Sequence, residues 1–199
     1  PETMEAFYAA CETLKNAGII PFASNFKDSW VMQYFQTGLE PEITGNGNWL
    51  NELPEKDILL GEGSTSLTGL EILNTMKEKG YLEPDLTSTN WDQFKLDFAQ
   101  GKIGMCYMGT WICPQMVDSG MVAEDVGAMP FPDTNYQDVG GDYGYAVSVA
   151  SQAPEVAKAF LAFLWEDSRF ATATGANPPP TGLEPAAPFA KALLAHGNP

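Results

Sequence analysis

The stretch Phe98-Ala-Gln-Gly-Lys-Ile-Gly-Met-Cys-Tyr-Met-Gly-Thr-Trp111 constrains this chain more than any other. It begins as the end of a helix, and Gly101 supplies the turn on which helices commonly stop. Ile103 to Met108 is an apolar run of strand length. Gly109-Thr110 breaks that run and delivers Trp111 to the strand end. A helix feeding directly into a buried strand is an α/β junction, and such a strand end is expected to open onto a cleft. An indole there suits an uncharged, flat-faced ligand such as a sugar.

Composition narrows the field by exclusion. The 199 residues are 44% hydrophobic and 18% charged, which supports one large or two small domains with a real core and no disordered polymer. The net charge is −16 and the ten basic residues are scattered. No nucleic acid partner is expected, and an anionic membrane surface is disfavoured for the same reason. Three cysteines leave at least one free thiol. Cys11 and Cys106 read as small buried hydrophobes, and a Cys106–Cys113 disulfide is the alternative. No cysteine has metal-ligand spacing, and the single His196 lies in a Gly/Pro-flanked tail. No metal site, no cofactor and no Ser-His or Cys-His nucleophile is expected. No run approaches the 18 apolar residues of a membrane-spanning helix, and no signal peptide is present. The chain starts Pro-Glu-Thr without Met, so a processed chain or a fragment is expected.

Helices and short strands alternate along the chain, which makes the class α/β. Residues 3 to 17 read as a helix, with Thr3 as N-cap, a stripe of Met4, Phe7, Tyr8, Cys11 and Leu14, and Gly18 as stop. Ile19 to Ala23 reads as a strand, and Trp30 to Gln36 as helical. Residues 38 to 66, rich in Gly, Asn, Pro and Glu, read as a long loop. Leu67 to Lys79 and Asn90 to Ala99 are amphipathic helices, the second with Asn90 and Gln93 as a capping box and Trp91, Phe94 and Phe98 as its stripe. A short helix follows Thr110, with Pro114 in its first turn. Val126 to Phe131 and Tyr145 to Val149 read as strands, separated by the turn Gly140-Gly-Asp-Tyr-Gly144. Pro154 starts a long helix with Ala157, Phe160, Leu161 and Leu164 inward, breaking near Asp167-Ser168 and continuing to Thr174. Asn177 to Gly182 cannot be helix, and the tail from Glu184 holds room for one more short helix.

In this order, the helix at Thr3, Gly-Ile-Ile-Pro-Phe22, Lys-Asp-Ser-Trp30, Phe98 to Trp111, Asp125-Val-Gly-Ala-Met-Pro-Phe-Pro132, Gly140 to Ser148 and Ala153 to Leu164 resemble the extracellular solute-binding proteins of family 1. These are the sugar-binding components of bacterial ABC importers, similar to maltose-binding protein. The resemblance covers roughly residues 1 to 182. It implies a periplasmic-binding-protein-like type II lobe, a three-layer α/β/α arrangement with a mixed sheet, in an incomplete two-lobe architecture. Residues 1–139 would form the second lobe. Residues 140–176 would be the crossing segment and helix that normally belong to the first, and 177–199 an incomplete return segment. The partners implied are a mono- or oligosaccharide and the membrane permease subunits of the importer. The location implied is extracytoplasmic, either periplasmic or at the cell surface on a lipid anchor.

The resemblance also implies site residues. Trp111 would stack on a pyranose face, the competing reading being an indole packed beneath a helix start. Trp30 would be a second aromatic contact, or part of a helix face in the core. Gly140, Gly141, Asp142 and Tyr143 form a turn whose glycines allow close backbone approach and whose Asp142 could accept sugar hydroxyls, or else a hinge turn. Asp28 and Asn25 are further polar contacts. Phe94 and Met108 read as core, and Glu62, Asp133 and Asp138 as solvated loop charges; Asp133 to Asp138 lacks the glycine and closing glutamate of a calcium loop. The mechanism implied is binding without chemistry, with lobes closing about a hinge near Pro132 to Tyr145. The rivals are a binder of another solute (peptide, polyamine or metal complex) and a glycoside hydrolase, although no Asp/Glu pair sits beside Trp111.

Overall fold

A computed structural model describes residues 1–55, 61, 65–134, 136, 144–167, 169–174, 189 and 191 of the chain. Helix α1 (Met4–Asn16) starts where expected: the Thr3 hydroxyl accepts the Ala6 N–H at 3.2 Å, and Gly18 takes a left-handed φ of 77° just past the end. Asp133, expected to be a solvated loop charge, also caps this helix, its Oδ2 accepting the Met4 N–H at 2.8 Å. Phe7 and Cys11 are the residues α1 buries.

Strand β1 (Ile20–Phe22) pairs in parallel with β2 (Ile103–Met105), Ile20 opposite Ile103 and Phe22 opposite Met105. A parallel pair needs a long crossover, and the elements described in the chain between them are all helical. Strand β2 is shorter than the predicted run to Met108. The last ladder bond is Ala23 N–H to the Met105 carbonyl at 2.9 Å; the next residue, Ser24, turns its N–H to Glu83 instead. With its partner gone, the chain beyond Met105 leaves the sheet.

The predicted helix at Trp30 to Gln36 is present but is not an α-helix. A 3-10 turn (Ser29–Met32) is followed by a π-helical turn (Tyr34–Gly38), which leads into α2 (Leu39–Thr44). The predicted loop over 38–66 is overturned for its described part: α2, α3 (Trp49–Glu52) and a 3-10 turn (Leu53–Glu55) are helical. The breakers sit at the ends or in the first turns of these elements. Gly45 ends α2 at φ 70°, and Pro41 lies in the first turn, where its missing N–H costs nothing. Burial of Leu39 and Trp49 then overrides a polar composition.

Helix α4 (Thr65–Glu78) buries Leu73 and Met76 and ends before Gly80, at φ 70°. In α5 (Trp91–Ala99) the Asn90 side chain accepts the Gln93 N–H at 2.9 Å, but Gln93 turns its own amide to Asp97, so only half of the predicted capping box forms. Helix α6 (Ile112–Asp118) carries Pro114 in its first turn, as expected. Val126 to Phe131 forms no strand: Pro130 and Pro132 remove ladder donors, although Phe131 is buried. Tyr145 to Val149 is not a strand either, since no described strand lies beside it.

Helix α7 (Pro154–Leu164) and α8 (Arg169–Thr174) reproduce the predicted break. Helix α7 has no buried residue, and Phe160, expected inward, is 59% exposed. The tail helix lies outside the described residues except for helical Phe189 and Lys191. One core cluster gathers Phe7, Phe22, Phe35, Leu39, Met76 and Phe131. A second gathers Phe94, Ile103, Ile112, Met116 and Phe189, with Met108 packed against it. The three cysteines are free, so the Cys106–Cys113 bond does not form. No described helix is long and apolar enough to cross a membrane.

Candidate functional site

Parallel pairing brings the C-terminal ends of β1 and β2 to one edge, the edge at which open α/β sheets bind ligands. The chain leaving β1 carries Ser24, Asn25, Asp28 and Trp30; the chain leaving β2 carries Trp111. A third element is tied to the same place: Asp28 Oδ2 accepts the backbone N–H of Trp91, the first residue of α5, at 2.6 Å.

The result is a cluster of three tryptophans. Ring centroids lie 4.9 Å apart for Trp30–Trp91, 5.7 Å for Trp91–Trp111 and 6.0 Å for Trp30–Trp111, all tilted. Tyr34 adds an edge against Trp30 at 6.4 Å. Trp91 is the buttress. Phe94 lies at 5.3 Å, its indole N–H donates to Gln115 Oε1 at 3.3 Å, and the Lys95 ammonium sits 5.7 Å from its ring centre. Trp30 is 39% exposed and presents its ring outward. Trp111 folds back over Gly109, where a Cβ would run into the indole Nε1 and Cδ1, so this backbone position needs a glycine.

Asn25 sits at the same edge with a left-handed φ of 49°, which asparagine tolerates better than most residues. Its N–H donates to Glu83 Oε1 at 3.3 Å, while Ser24 gives both its N–H and its hydroxyl to Glu83 Oε2 at 2.7 Å. Asn25 is 1% exposed, yet its Oδ1 and Nδ2 have no hydrogen-bond partner among the described residues. A buried amide left unpaired costs about 1–3 kcal/mol, which makes Asn25 a candidate polar contact for a ligand or a water.

The structure therefore brings together four of the predicted residues, Trp30, Trp111, Asn25 and Asp28. Asp28 has a different job from the one expected, because one carboxylate oxygen is committed to the start of α5. Gly140, Gly141, Asp142 and Tyr143 lie outside the described residues, as do Glu62 and Asp138. Trp91 and Glu83 were not predicted. Trp91 fits the helical stripe of α5 and so reads as core; its position at the first helical residue, beside a cap, was the one signal available.

The arrangement offers stacking surfaces and one amide able to donate and accept at once. Burial pushes the Cys106 thiol up to about 12, with Cys113 adding to the shift, and Cys113 up to about 11, so both stay protonated at neutral pH. Among the described residues no group of three His, Cys, Asp or Glu could hold a metal ion. A concavity of about 540 Å³ lies elsewhere, along α4, lined by Leu67, Leu70, Glu71, Asn74 and Thr75.

Several solved structures share this fold. A binding protein of an ABC transporter from Bifidobacterium animalis subsp. lactis, in complex with mannobiose, superposes with a TM-score of 0.79 at 25% identity, covering 100% of this chain and 49% of that one. A manno-oligosaccharide-specific solute binding protein from the same organism, in complex with mannotriose, gives 0.79 at 25%, covering 94% and 47%. A sugar transporter protein from Bacillus licheniformis, in complex with stachyose, gives 0.63 at 24%, covering 96% and 53%, a likeness of fold alone. The chain thus spans about half the length of these structures. No curated protein matches it. The sequence model of the bacterial extracellular solute-binding protein family matches residues 1–167, and the chain belongs to that family.

Proposed function

We propose that this chain is the second lobe of a two-lobe carbohydrate-binding protein that serves an ABC-type importer outside the cytoplasmic membrane. The observation that carries the reading is the Trp30–Trp91–Trp111 cluster at the C-terminal edge of the parallel strands. Aromatic faces take the CH face of a pyranose, and polar groups take its hydroxyls. Matches to mannobiose- and mannotriose-bound structures agree with it. Residues 1–139 would form this lobe, 140–176 the segment crossing to the first lobe, and 177–199 the return. The exposed apolar residues Val156 and Phe160 of α7 support that division, because among the described residues nothing buries them and a face of this kind needs a cover.

The protein acts by binding alone. A sugar enters between the lobes and stacks on Trp30 and Trp111, with Asn25 and the turn at Gly140, Gly141, Asp142 and Tyr143 as polar contacts. The lobes then close about the crossing segments, and the closed form docks on the permease. The sugar can drive closure only if it binds the closed form more tightly.

Calorimetric titration of the two-lobe protein tests the reading, with mannobiose, mannotriose, raffinose, stachyose, a peptide and putrescine as probes, and reducing-sugar release followed in parallel. Saturable binding of a saccharide with no release is expected. Binding of only peptide or putrescine, or steady release of reducing sugar, would contradict it.

A further inference from the structure

We infer that Glu83 is a positioning residue: its buried carboxylate sets the turn at Ser24 and Asn25, and through that turn assembles the tryptophan cluster and reserves the Asn25 amide for the solute. The last part rests on the carbohydrate-binding reading; the first does not.

Glu83 lies far from Ser24 and Asn25 in sequence and comes beside them because the Phe22 N–H donates to the Tyr81 carbonyl at 3.0 Å. It is 5% exposed and accepts three hydrogen bonds, from the Ser24 N–H, the Ser24 hydroxyl and the Asn25 N–H. The two backbone N–H groups among them are donors that a longer β1 would offer to a sheet, so Glu83 ends the strand and starts the turn. Once Asn25 is held in its left-handed conformation, its carbonyl accepts the Asp28 N–H at 3.2 Å, and the Asp28 carbonyl accepts the Val31 N–H at 3.0 Å. The Asp28 side chain then reaches Trp91 at 2.6 Å, while the 3-10 turn (Ser29–Met32) presents Trp30. One carboxylate thus fixes two of the three rings through a chain of hydrogen bonds. Because the carboxylate satisfies the backbone at Asn25, the side-chain amide is left unpaired within the lobe.

Glutamine at position 83 keeps the size but places an NH₂ against donors, so one oxygen must serve three N–H and O–H groups. The test compares Glu83→Gln, Asn25→Gly and Trp30→Phe in the two-lobe protein. The near-ultraviolet circular dichroism of the tryptophans is read without sugar, and mannobiose and mannotriose affinity is read by calorimetry. Glu83→Gln is expected to shift the indole spectrum toward that of Trp30→Phe and to weaken binding roughly ten-fold. Asn25→Gly, which keeps the left-handed φ and removes the amide, is expected to weaken binding with the indole spectrum unchanged. An unchanged spectrum in Glu83→Gln, with only a lower melting temperature, overturns the positioning role. That spectrum needs no sugar, so a wild-type protein that binds neither probe overturns the solute reading and leaves the positioning role decided. If Glu83→Gln does not fold, Ser24→Ala removes one donor to the same carboxylate. It is expected to move the spectrum in the same direction by less, and an unmoved spectrum there is equally fatal.

Discussion

Trp91 shows how one residue type divides its work at this edge. Three indoles meet, but one is walled in by Phe94, Lys95 and Gln115 and one is turned outward. Sequence periodicity registers only that Trp91 recurs with Phe94 and Phe98; it carries no information about which ring is buttress and which is surface. Trp111 was legible as the aromatic beyond the end of β2, although the strand stops at Met105 and not at Gly109, and that glycine is itself open to test. Gly109→Ala places a methyl group inside the Trp111 indole. The ring is expected to swing away, altering the indole fluorescence of a protein whose far-ultraviolet spectrum is unchanged. The thiols provide a second check. Burial pushes Cys11 and Cys113 up to about 11 and Cys106 up to about 12. Thiolate is the reactive form, so between pH 7 and 9 iodoacetamide should label the folded protein far more slowly than the urea-unfolded chain. Labelling at equal rates would place these sulfurs at the surface.

Among the elements, α1, β1, α4, α5, α6 and the α7–α8 pair were legible because caps, stops and apolar spacing agree within each. The stretch over 38–66 was not, because Gly, Asn and Pro between short helices look the same as Gly, Asn and Pro within a loop. Only the burial of Leu39 and Trp49, a tertiary fact, separates the two. The would-be strands at Val126 and Tyr145 failed for the opposite reason: an apolar run does not say whether a neighbour will be there to pair with it. The π-helical turn at Tyr34–Gly38 carries a prediction of its own. Gly69 of α4 packs directly on the Phe35 carbonyl, where a Cβ would overlap the oxygen. Helix propensity alone makes Gly→Ala stabilising by about 1 kcal/mol inside a helix. Here the sign should reverse: Gly69→Ala is expected to destabilise by about 1–3 kcal/mol in urea unfolding, as overpacking does. A stabilised variant would mean that α4 and the π-turn are not in contact.

At the scale of the whole molecule the proposed reading makes the chain one lobe of a two-lobe clamp. It spans about half the length of the solved structures it resembles, and α7 leaves Val156, 70% exposed, and Phe160 outside the described core clusters. If the other lobe covers that face, Phe160→Ser should change the stability of the isolated 199-residue chain by under about 0.5 kcal/mol. In the two-lobe protein it should cost about 3 kcal/mol, as truncating a buried phenylalanine does. Equal effects in both would mean that α7 is uncovered. The central claim, that the tryptophan edge is a sugar platform, is met most directly by intrinsic fluorescence of the two-lobe protein titrated with mannobiose and mannotriose, in wild type, Trp30→Ala and Trp111→Ala. A saturable change in the wild type is expected, with affinity weakened by at least about ten-fold, or about 1.4 kcal/mol, in each variant. Full-affinity binding in both variants would place the sugar somewhere other than on these rings.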